Sequence, residues 1–83
     1  MFTAILSPQA KRDIKQIPKS QQRAIKLAIK ELKDDPFSGK PLTRELTNRF
    51  TYKVGVYRII YRTNKQTGVV NIITVGHRST VYN

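Results

Sequence analysis

Arg49-Phe50-Thr51-Tyr52-Lys53-Val54-Gly55-Val56-Tyr57-Arg58-Ile59-Ile60-Tyr61-Arg62 is the stretch that decides the fold of this 83-residue chain. On one side of Gly55-Val56, Phe50, Tyr52 and Val54 alternate with Arg49, Thr51 and Lys53. On the other, Tyr57, Ile59 and Tyr61 alternate with Arg58, Ile60 and Arg62. Period-two alternation makes a strand with one face for a core and one for solvent. Two such runs separated by two residues, glycine first, predict a hairpin with a type II′ turn. That turn sets a register: Val54 opposite Tyr57, Lys53 opposite Arg58, Tyr52 opposite Ile59 and Arg49 opposite Arg62.

Working outward, Asn64 to Gly68 reads as a five-residue loop and Val69 to Gly76 as the most apolar strand. Such a loop places Thr63 opposite Val69 and Ile59 opposite Ile73. Upstream, Phe2 to Leu6 reads as a short first strand. Ser7-Pro8 supplies an N-cap and a first-turn proline for a helix carrying Ala10, Ile14 and Ile17, which Pro18 ends. A second helix is expected over 19–34, with Ala24, Leu27, Ala28, Ile29 and Leu32 as its buried stripe. Lys19, Arg23, Lys26, Lys30 and Lys33 fall on its other side and read as a solvated face. Asp34-Asp35-Pro36 closes it, and Phe37 to Pro41 is expected to be a loop. The order predicts one α+β domain over 1–83: an N-terminal strand, a two-helix hairpin and an antiparallel three-stranded meander.

Sixteen Lys and Arg face five acids, a formal net charge of +11. Such an excess points to a polyanion: RNA, DNA, an acidic membrane surface or an acidic protein. A membrane is the weakest of these, because no run of about 18 apolar residues exists and the apolar start is too short for a signal segment. The chain has no cysteine, which removes disulfides, thiolate metal sites and thiol chemistry together. A cytoplasmic protein is expected.

The predicted hairpin sets like charges directly opposite each other, Arg49 against Arg62 and Lys53 against Arg58. Cross-strand pairs of like charge are destabilising by some tenths to about 1 kcal/mol. The same parity adds Arg78 at the end of the last strand. All five acids (Asp13, Glu31, Asp34, Asp35, Glu45) precede this region. A bound phosphate chain explains an unneutralised cluster better than side chains splayed into water. RNA carries its own nucleophile, the 2′-OH, so a basic face needs only to hold it in line and stabilise the pentacovalent phosphate. No clustered carboxylates are available for a two-metal nuclease, and His77 alone cannot hold a metal, so neither metal nor cofactor is expected. Lys53, His77 and Tyr82 are the candidates for proton transfer. Parity turns His77 toward the core, where a structural hydrogen bond suits it better. Tyr52, Tyr57 and Tyr61 read as core, whereas Tyr82 lies beyond the last strand. A face that binds nucleic acid without cutting it stays open at this point.

Val54-Gly55-Val56-Tyr57-Arg58-Ile59-Ile60-Tyr61-Arg62, then Val75-Gly76-His77-Arg78 and Val81-Tyr82, resemble the signature of the RelE/ParE toxin superfamily. Asp35-Pro36-Phe37-Ser38-Gly39, Pro41-Leu42 and Glu45-Leu46 resemble the loop after that family's helix pair. The resemblance implies a compact toxin paired with a cognate antitoxin, reaching DNA only through the antitoxin complex. Its RelE branch implies cleavage of mRNA in the ribosomal A site, with basic residues and a tyrosine in place of a metal. By that likeness Arg58 and Arg78 are the catalytic arginines and Tyr82 the C-terminal tyrosine, while Arg49 and Lys53 fall where the family has further basic residues before the turn. With Arg62 and Thr51 of the same face they are the expected RNA-binding residues. The chain departs from the pattern at Thr51, where the family carries a lysine proposed as general base. Either Arg49, Lys53 or His77 substitutes, or the rate is low. A ParE-like inhibitor of DNA gyrase is the alternative.

Overall fold

The computed structural model describes residues 1–41, 49–77 and 79. Its elements run β1 (Thr3–Leu6), α1 (Pro8–Lys15), α2 (Lys19–Asp34), β2 (Lys40–Pro41), β3 (Arg49–Val54), β4 (Tyr57–Asn64) and β5 (Val69–His77). Local chemistry accounts for the first helix. The Ser7 hydroxyl accepts the Ala10 N–H at 3.0 Å, and Pro8 occupies the first turn. The same hydroxyl donates to the Ile73 carbonyl at 2.6 Å, so one side chain caps α1 and ties it to β5. The second helix has no side-chain cap, so its stability rests on the stripe that it buries.

That stripe is Ile25, Ala28, Ile29 and Leu32, an i, i+3, i+4, i+7 set. The expected stripe is therefore corrected. Ile25 is fully buried, while Leu27 is 57% exposed and points away from the sheet. The expected loop at 37–41 is corrected too, because Lys40 and Pro41 pair with Thr51 and Phe50 as a short strand.

The predicted meander, β3 to β5, forms the centre of a five-stranded sheet of order β1-β5-β4-β3-β2. β1 joins it in parallel against β5. The core lies between the helices and one face of this sheet, with Ala10, Ile14, Ile17 and the α2 stripe against Ile59, Tyr61, Val70, Ile72 and Val75. The β4–β5 register differs from the expected one. Asn64 pairs with Val69, and after a bulge at Ile60/Tyr61, Ile59 pairs with Val75 instead of Ile73. A one-residue slip and a one-residue bulge add to two, so side-chain parity near the turn is unchanged. Both α1 and α2 pack on one face of the sheet.

Candidate nucleic-acid interface

The β3–β4 hairpin has the register its turn dictates, from Val54 opposite Tyr57 to Arg49 opposite Arg62. Gly55 takes φ 61°, a conformation that costs glycine little and other residues more. On the face away from α1 and α2 this sets Lys53 against Arg58 and Arg49 against Arg62. The two pairs are four residues apart, about 13 Å along the strands. Between them lie Thr51 and Ile60, 5% and 6% exposed. The face is thus two cation pairs with a neutral floor between them.

Beside this floor opens a cavity of about 350 Å³ whose lining includes Ser38, Lys40, Thr51, Lys53 and Arg58. Its outer wall is fixed by aromatic packing. Tyr61 is fully buried, and its hydroxyl accepts the Gly39 N–H at 3.1 Å. A Cβ on Gly39 would lie 2.5 Å from that hydroxyl and 2.7 Å from the Thr51 carbonyl, so only glycine fits there. Phe50 stacks on Tyr61 at 5.4 Å, Phe37 meets Phe50 edge-on at 5.8 Å, and the Lys65 ammonium lies 5.1 Å from the Phe37 ring centre. These contacts clamp the segment before β2 and hold Lys40 opposite Thr51. Lys40 escaped the sequence reading, because a two-residue strand has no periodicity to detect.

Among the described residues, Asp13 and Glu31 reach the sheet from the helix side. Asp13 accepts from the Thr74 hydroxyl at 2.6 Å and the Val75 N–H at 3.0 Å. Glu31 accepts from the Tyr52 hydroxyl at 2.7 Å. That hydrogen bond, with burial and the Glu31 charge, raises the Tyr52 pKa above its usual 10.0. Burial raises Tyr61 as well, partly opposed by the Gly39 N–H.

His77 falls on the core face, as parity predicts, and pairs with Tyr57, the rings edge to face at 6.1 Å. Its Nδ1 accepts the Ser79 N–H at 3.2 Å. A backbone N–H can only donate, so the neutral ring carries its proton on Nε2. This parity places His77 on the face opposite Arg58. Lys53, Arg58 and Thr51 are brought together, Arg49 and Arg62 extend the same face, and the assignments of Arg78 and Tyr82 lie outside the described residues. Among those residues, no three His, Cys, Asp or Glu side chains gather to hold a metal ion, and no helix is long and apolar enough to cross a membrane.

The family described as the ParE toxin of type II toxin–antitoxin systems matches residues 4–82, nearly the whole sequence. The chain belongs to the RelE/ParE toxin superfamily. It is a toxin of a type II toxin–antitoxin system, and its relatives place it on the RelE-like side. It is 34% identical to Toxin RelG of Mycobacterium tuberculosis, over 98% of this chain and 95% of that protein. The toxin–antitoxin complex RelBE2 from the same organism contains a chain that superposes with a TM-score of 0.85 at 34% identity, covering 93% of this toxin and 98% of that chain. The isolated E. coli RelE toxin superposes at 0.81 with 21% identity, covering 99% and 92%, a likeness of fold.

Proposed function

We propose that this toxin is an endoribonuclease that cuts mRNA in the ribosomal A site and thereby stops translation. The observation that supports this most is the cationic outer face, where Lys53 and Arg58 meet across the hairpin at the cavity. In-line attack of the 2′-oxygen on phosphorus expels the 5′-oxygen, which takes up a proton. The products are a 2′,3′-cyclic phosphate and a 5′-hydroxyl. The reaction builds negative charge on the phosphoryl oxygens, and a guanidinium answers it with paired N–H donors. In this reading Arg58 stabilises that charge together with Arg78. Lys53 and Tyr82 handle the protons, and Arg49, Arg62 and Thr51 hold the RNA. His77, on the opposite face, is a structural residue.

The toxin acts in the cytoplasm, paired with a cognate antitoxin that covers the basic face, and touches DNA only through that complex. The test is cleavage of ribosome-bound mRNA in excess EDTA. It should continue and leave a 5′-hydroxyl on the downstream fragment, whereas a 5′-phosphate would sink the mechanism. One observation favours a second reading. The matching family bears the ParE name, and threonine stands at position 51. If mRNA stays intact while gyrase supercoiling stops, gyrase inhibition replaces cleavage.

A further inference from the structure

We propose that Lys40 and Thr51 form a further phosphate-binding position of the RNA track, next to the Lys53–Arg58 pair. The proposal rests on RNA binding by this face and is independent of cleavage. Thr51 is 5% exposed, yet its Oγ1 has no hydrogen-bond partner among the described residues. A hydroxyl buried without a partner is costly, and valine would fill the same space without that cost. The hydroxyl belongs to the wall of the cavity that Lys40, Lys53 and Arg58 also line, and no carboxylate contributes to that wall among the described residues. A neutral donor among three cations selects an anionic acceptor.

Register sets the spacing. Lys40 is directly opposite Thr51, and Thr51 is two residues from Lys53 on β3. Directly opposite Cβ atoms are about 4.5–5.5 Å apart, and diagonal neighbours about 7–8 Å. The Lys40 and Lys53 ammonium groups therefore flank the Thr51 hydroxyl on flexible stems, as point charges that follow a phosphate without fixing its orientation. A cavity of about 350 Å³ has room for a phosphodiester and its water. Lys40 also lies on the outermost strand of the sheet, so the position continues the track from the hairpin to the sheet edge.

The experiment is binding of a short single-stranded 2′-O-methyl RNA, which cannot be cut, measured across a salt series. Lys40→Gln should weaken binding and flatten the slope of log K against log salt by about 0.7, one phosphate contact of a single strand. Thr51→Val should weaken binding by roughly 3–10-fold, the range for one hydrogen bond, and leave the slope unchanged because no charge is lost. Lys30→Gln, on the exposed side of α2, is the control and should bind like the parent. Thermal unfolding checks that each variant is folded, and Thr51→Val should be at least as stable as the parent. A Lys40→Gln slope equal to the parent's, or Thr51→Val binding with parental affinity, overturns the proposal. A parent that binds this RNA but cleaves no mRNA defeats the nuclease reading alone. A parent slope flatter than about −1 removes the RNA track and this position together.

Discussion

A half-buried arginine set directly against a lysine is a poor choice for stability and a good one for holding phosphate. Arg58 is in that situation, directly opposite Lys53 across the hairpin. Arg58→Ala is expected to lower single-turnover cleavage by about 10²-fold or more, the usual loss for a group that stabilises transition-state charge. RNA affinity should fall far less, and stability should hold or rise by some tenths of a kcal/mol as the cross-strand repulsion is relieved. Unfolding of Arg58→Ala, or undiminished cleavage, would remove it from the catalytic centre. Tyr82 is separated by a pair of variants. Tyr82→Phe keeps a ring for stacking, so parental cleavage by Tyr82→Phe with loss in Tyr82→Ala assigns stacking and not proton transfer. On the helix side, Tyr52 donates to Glu31, and its pKa lies above the usual 10.0. A raised folded-state pKa gives stability that is fully present below pH 10.0 and is lost as pH climbs through the raised value. Tyr52→Phe should therefore flatten the alkaline end of the stability curve, as read by denaturant unfolding at stepped pH. An unchanged alkaline slope would show that the bond to Glu31 adds nothing.

At the scale of elements, the hairpin was legible because its instructions are local: two alternating runs and a glycine with φ 61°. The β4–β5 register was not, because distant groups set it. Asn64 accepts the Gln66 and Thr67 N–H groups through its side chain, which shortens the loop by one residue. Past the bulge, Asp13 of α1 takes the Thr74 hydroxyl and the Val75 N–H, while Ser7 donates to the Ile73 carbonyl. None of these long-range bonds is written in the strand pattern itself. The α2 stripe was misplaced for a related reason: Leu27 and Ile25 are equally apolar in sequence, and only the sheet's position decides which is buried. These errors leave the cation pairs untouched, because the β3–β4 register alone sets Lys53 against Arg58 and Arg49 against Arg62. The outer wall of the basic face escaped notice, since Lys40 lies on a two-residue strand held by Gly39, Tyr61 and Phe37. Gly39→Ala should cost about 1–3 kcal/mol, the range for overpacking, because its methyl group collides with the Tyr61 hydroxyl and the Thr51 carbonyl. It should also weaken RNA binding by displacing Lys40. A variant with parental stability and affinity would show that this wall yields freely.

For the molecule as a whole, the division of labour between the two sheet faces governs what a partner can do. The helices cover one face and form the core, while the other presents cations in a chain of formal net charge +11. Self-repulsion of that size works against the compact state, and any ligand that binds only the folded toxin stabilises it by mass action. RNA and an acidic antitoxin segment should therefore compete for one surface and both raise the unfolding temperature. With about five basic side chains on phosphates, the RNA salt slope should be about −3 to −4. An antitoxin segment laid as a helix or an added strand over the hairpin replaces those contacts with carboxylates. Saturating the toxin with its antitoxin should then abolish binding of the single-stranded RNA away from the ribosome. That arrangement separates direct occlusion from exclusion by bulk. A complex that still binds the free RNA with the parental slope, yet fails to cut mRNA on the ribosome, would mean that the antitoxin blocks access without covering the cations.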